Sequence, residues 1–136
     1  MKSKPISKQD DGAKALIIEV LDGEKTGGFD LDSVYYIDGK YHVIEFLKCD
    51  TVRPFQSHPN RYWYKNKQKF ISLWDISKKL EATLYLVNYE DSREQFKVIK
   101  VKKILENEGI VDEDERKWDF NQFQGWFVGL NQHSTI

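Results

Sequence analysis

Residues 28–51 read GFDLDSVYYIDGKYHVIEFLKCDT, and the Asp38-Gly39 step at the centre of this stretch decides how the fold begins. Asp-Gly between apolar and aromatic runs is the strongest short-range hairpin signal, because a two-residue type I′ loop needs positive φ at both central positions. The spacing predicts a hairpin with SVYYI and KYHVIEF as its arms. Ile37 then lies opposite Lys40, Tyr36 opposite Tyr41, Val34 opposite Val43 and Asp32 opposite Glu45. Side chains alternate along a strand, so Asp32, Val34, Tyr36, Tyr41, Val43, Glu45 and Leu47 share one face. Directly opposed residues have Cβ atoms roughly 4.5–5.5 Å apart, and like charges placed that way destabilise a sheet. A hard divalent cation, Mg²⁺ or Mn²⁺, held by both carboxylates would compensate, whereas two acids at a solvated strand end would need none.

A lysine follows Glu45 in IEFLKCD. The whole stretch resembles the core of the PD-(D/E)xK, or restriction-endonuclease-like, nuclease superfamily, in which an Asp on one strand and a Glu-x-Lys on the next hold Mg²⁺ and position an attacking water. The resemblance covers Gly28 to about Val101. It implies an α+β or mixed α/β domain: a small central mixed β-sheet with a β-hairpin and flanking helices. It also implies metal-dependent hydrolysis of phosphodiester bonds in nucleic acid, with DNA favoured. On this resemblance Asp32 and Glu45 are the metal ligands and Lys48 orients the water. Leu31 stands where the family has proline, and the spacing here is Glu-x-x-Lys, so strict alternation points Lys48 away from Glu45. A bulge at Phe46-Leu47 would turn it back, or a lysine from the following helix would take its place. Glu19, inside the apolar run AKALIIEVL, is a further candidate because several branches of the family add a helical glutamate near the metal; a solvent-facing acid is the plainer reading. The alternatives are a catalytically inactive nucleic-acid-binding or protein-interaction module on the same fold, or a structural assembly subunit.

Length and composition suit one domain, expected over residues 13–130, with a flexible N-terminal tail at 1–12 and a C-terminal tail at 131–136. A chain of 136 residues buries roughly two-thirds of its unfolded surface. Its 40% hydrophobic content excludes global disorder. No apolar run approaches the roughly 20 residues of a membrane helix, and the first dozen residues lack the apolar segment of a signal peptide. The single Cys49 excludes an internal disulfide and fits a reducing, cytoplasmic setting. The net charge of −1 conceals segregation. Residues 40–103 carry 14 basic and 7 acidic side chains, against 2 and 7 in residues 104–136. A basic body of this kind is the electrostatic footprint expected for a phosphate backbone, although several of its lysines must be ordinary solvated ones.

DTVRPFQSHPNRYWYKN is a long linker with two prolines and no regular period. Arg53, Arg61 and Lys65 alternate there with Phe55, Tyr62, Trp63 and Tyr64, and Lys67 and Lys69 follow. Cations interleaved with rings suit nucleic acid, since basic groups hold phosphates while rings stack on unpaired bases. The rings would equally anchor the loop to the core. His58 is discounted as an exposed loop histidine, and His42 as facing away from Glu45. NKQKFISLWDISKKLE has a helical stripe of Phe70, Leu73, Trp74, Ser77 and Leu80, with Asn66 as the expected N-cap. Lys67 and Lys69 then fall in its first turn, a place suited to phosphate. ATLYLVNY and QFKVIKVKKI read as strands and LENEGIVDEDERK as an acidic connection. The aromatic segment WDFNQFQGWFVGLN covers either a sheet face or the seam of a homodimer.

Overall fold

The computed structural model describes residues 12–136, so the expected N-terminal tail lies outside the described residues apart from Gly12, which opens the first helix. The described chain divides into two compact units, with the boundary between Asp30 and Leu31. The first contains helix α1, Gly12–Leu21, none of whose residues is buried. Asp22 and Gly23, both at positive φ, end it.

The second unit is an α+β fold built on a five-stranded mixed sheet in the order β1-β2-β3-β4-β5. Its strands are β1 (Ser33–Ile37), β2 (Lys40–Lys48), β3 (Thr83–Tyr89), β4 (Phe96–Leu105) and β5 (Gly109–Trp118). The hairpin has the expected register, from Ile37 opposite Lys40 to Ser33 opposite Ile44. Asp38 and Gly39 take φ of 51° and 78°, the pair of positive values that a type I′ loop requires. β2 and β3 are parallel, so their link must cross over the sheet, and helix α2, Trp63–Lys79, makes that crossover. The remaining neighbours are antiparallel.

Central strands that are apolar on both faces need a helix on each. α2 supplies Trp63, Phe70 and Leu73 to one face, against Val43, Leu84, Leu86, Ile99 and Val101. Helix α3, Phe120–His133, supplies Phe123 and Leu130 to the other, against Ile44, Val87, Phe96 and Val98. Asp119 starts α3 with a capping box to Gln122. The aromatic segment thus covers the chain's own sheet. Phe127 meets Tyr35 and Phe46, Phe123 stacks on Phe96, and Trp126 meets Tyr85. Within residues 131–136, α3 runs on to His133, and the Thr135 amide donates to the Tyr36 carbonyl at 2.9 Å on the open edge of β1.

Two other expectations change. The acidic connection is strand β5, whose carboxylates serve β4. Lys97 meets Glu115 at 3.3 Å and Lys102 meets Asp114 at 3.2 Å, so much of the charge segregation cancels between neighbouring strands. Secondly, α2 starts at Trp63 directly after a 3-10 turn, Pro59–Tyr62, so Asn66 lies inside the helix and Lys67 and Lys69 fall beyond its first turn. No helix among the described residues is long and apolar enough to cross a membrane.

Candidate metal and nucleic-acid site

β2 has β3 on one side and β1 on the other, and β1 ends at Ser33. The next β2 amide on that side, at Phe46, is taken by the Asp32 carboxylate, whose Oδ2 accepts from it at 2.9 Å. This bond holds Asp32 beside Glu45, one position beyond the Ser33–Ile44 pair. Glu45 shares the α2 face of β2 with Val43 and Leu47 and is only 3% exposed. A carboxylate there must be compensated, and Lys69, one residue before the core residue Phe70, reaches Glu45 Oε1 at 2.8 Å. The second oxygen, Oε2, is buried and has no hydrogen-bond partner among the described residues. Burial raises the Glu45 pKa against the opposing pull of Lys69, while the Asp32 carboxylate raises it further and the Asp32 backbone amide lowers it.

Lys48 does not join this group. No bulge intervenes at Phe46-Leu47, since β2 pairs with β3 without interruption from His42 to Lys48. Lys48 therefore points to the other side, where it pairs with Asp50 at 3.5 Å and Asp91 at 3.4 Å. The lysine beside the glutamate comes from the following helix, as Lys69. Glu19 is exposed on α1, in the unit that ends at Asp30. No group of three or more His, Cys, Asp or Glu side chains suited to a metal occurs among the described residues. A cation here would therefore rest on two carboxylates, with its other positions left to water or phosphate, the usual arrangement for Mg²⁺. The donor set fits that role: hard oxygen ligands, one of them buried without a hydrogen-bond partner among the described residues.

The linker from β2 to α2 is held down over the sheet. Arg53 grips Glu90 with two hydrogen bonds, at 3.1 and 2.7 Å, and Glu94 at 3.0 Å. The guanidinium and the Ser92 hydroxyl hold the Glu90 carboxyl down at about 2. The Ser57 carbonyl accepts from Lys97 at 2.9 Å and Asn88 at 3.0 Å, so these two buried polar side chains are satisfied by the loop they fix. His58 is half-buried rather than exposed. Its Nδ1 accepts from the Asn60 amide, which leaves Nε2 to donate to Glu113. None of Asn88, Lys97 and Glu113 was marked by sequence, because their partners come from distant elements.

These tethers sort the cations expected at nucleic acid. Arg53 is committed to Glu90 and Glu94, Lys67 to Asn107 at 2.9 Å, and Lys69 to Glu45. Arg61 and Lys65 form no ion pair among the described residues and lie over the exposed ring of Tyr62, at 5.3 and 6.0 Å from its centre. Lys69 and Leu47 also line an open cleft of about 330 Å³, with Arg61, Tyr62, Asn66 and Thr51 among its walls. Cys49 lies there too, but burial raises its thiol pKa, which makes it a poor nucleophile at neutral pH. No family model, curated protein or solved structure matches this chain.

Proposed function

We propose that Asp32, Glu45 and Lys69 form the centre of a divalent-cation-dependent hydrolase acting on phosphodiester bonds of nucleic acid, DNA in the first place. The observation that carries this reading is the buried Glu45 carboxylate, with one oxygen on Lys69, the other without a hydrogen-bond partner among the described residues, and a second carboxylate beside it. The order of hairpin, crossover helix and parallel strand supports the PD-(D/E)xK resemblance, with Lys69 in the place of Lys48.

Glu45 Oε2 and Asp32 would hold Mg²⁺ or Mn²⁺, which when bound lowers the pKa of water and polarises a phosphate oxygen. Asp32 keeps its orientation through the Phe46 amide. The Lys69 ammonium, steadied by Glu45 Oε1, has two further N–H donors for a phosphate oxygen and stabilises the negative charge that develops there. Arg61 and Lys65 hold the backbone of the nucleic acid, since no carboxylate competes for them among the described residues.

Incubation of the purified chain with labelled DNA and RNA, in Mg²⁺ or in EDTA, tests this directly. Cleavage is expected in Mg²⁺ alone, to fall by about 100-fold or more in Glu45→Ala and in Lys69→Ala, and to persist in Lys48→Ala. Undiminished cutting by Glu45→Ala sinks the assignment. A substrate that is shifted but never cut supports a binding module on this fold.

A further inference from the structure

The cleft beside Lys69 bears on the form of the nucleic acid. Tyr62 stands at its mouth, 56% exposed, immediately before the first residue of α2. An exposed aromatic ring on a rigid element costs little further ordering when a planar ligand stacks on it. Bases within a duplex already stack on one another and leave such a ring no partner, whereas an unpaired base offers its whole face. Of the cations expected at nucleic acid, Arg61 and Lys65 are the two that form no ion pair among the described residues, and both lie over this ring, so a base that stacks on Tyr62 replaces them there and meets them at its phosphate. The acid in the cleft wall, Asp50, pairs with Lys48 at 3.5 Å, a lysine it shares with Asp91. The volume, about 330 Å³, lies at the low end of the range for small-ligand pockets, roughly 300–1,000 Å³. That volume accommodates a group of about one nucleotide's size. Lys69 belongs both to the cleft wall and to the Glu45 pair, so it is the group through which a phosphate in the cleft meets the site.

From this arrangement we infer that the preferred ligand is single-stranded nucleic acid, with an unpaired base stacked on Tyr62 and its phosphate between Arg61 and Lys69. This deepens the hydrolase reading and rests on it for the placement of the phosphate. The base contacts are those of a stacking face, so they accept any base, and selection falls on strandedness.

Binding is measured with the full chain in EDTA, where no cleavage intervenes, by fluorescence anisotropy of a labelled oligonucleotide alone and annealed to its complement. The single strand is expected to bind about tenfold or more tightly than the duplex. Tyr62→Ala should weaken single-strand binding about tenfold, and Tyr62→Phe should restore it, since a phenyl ring still stacks. Arg61→Ala should weaken both forms and reduce the salt dependence by about one counterion. Equal or tighter duplex binding, or a Tyr62→Ala variant that binds the single strand as well as the wild type does, overturns the inference. The two readings fail separately. Single-strand preference without Mg²⁺-dependent cutting removes the hydrolase and keeps the ligand, whereas cleavage of duplex that ignores Tyr62 keeps the hydrolase and removes the ligand.

Discussion

Glu45 concentrates the chemistry of this molecule in one side chain. Its place opposite Asp32 follows from counting outward from Asp38-Gly39, and the hairpin register agrees with that count. Its burial under Lys69 could not be counted, because it depends on where α2 crosses the sheet. The sign of the resulting pH dependence is definite. Burial raises the folded pKa above the ordinary 4.5, so the folded chain binds this proton more tightly than the unfolded chain does. The favourable contribution of protonated Glu45 is full below the ordinary value and is lost as pH rises through the raised one. Glu45→Gln should therefore raise metal-free stability at neutral pH, with the gain vanishing in acid, since the Lys69 left behind is 42% exposed and water solvates it. Mg²⁺ should raise the melting temperature of the wild type, by the equivalent of about 2.7 kcal/mol at a hundred times Kd, and leave Glu45→Gln unmoved. Thermal melts over pH, with Mg²⁺ and with EDTA, check both; a wild type whose melting ignores Mg²⁺ removes the cation from the site.

The strands and helices show where local pattern is enough and where it is not. Helix α2 was legible from its apolar stripe, but its start was not, because Pro59–Tyr62 forms a turn that passes straight into the helix and Trp63 is drawn into the core. Strand β5 was hidden by its composition. DEDER reads as a polar connection until β4 lays lysines beside it, and charge on an exposed edge strand also guards against pairing with another chain. The linker before α2 depends on one close approach. Asn60 accepts from the Ile110 amide and donates to its carbonyl, both at 2.9 Å, packed against Gly109 at φ +94°. A Cβ at Gly109 would overlap the Asn60 side chain and take up a strained backbone angle. Gly109→Ala should then cost roughly 1–3 kcal/mol in chemical denaturation and loosen the linker, seen as faster amide exchange over residues 53–62. An unchanged exchange pattern counts against the tether.

The second unit rests on a sheet buried from both sides, so its two apolar clusters should melt as one. Leu73 is fully buried on the α2 face and Phe123 nearly so on the α3 face. Leu73→Ala is expected to cost about 2–5 kcal/mol and Phe123→Ala about 3–5 kcal/mol, each lowering a single cooperative transition. Calorimetry that resolves two transitions within this unit contradicts that picture. The hairpin, the central strands, the crossover helix and the α+β class were all readable from residue order, because turn chemistry and apolar periodicity act between near neighbours. So was the nearness of Asp32 to Glu45, since it lies one position beyond the last register pair, although the bond to the Phe46 amide that fixes it was not. Which lysine reaches Glu45, which cations stay without an acid and which loop residues become fixed depend on contacts between elements far apart in the chain. Alternation sent Lys48 to Asp50 and Asp91, but only the packing of α2 on β2 set Lys69 against the buried carboxylate, where an uncompensated charge is too costly to leave alone.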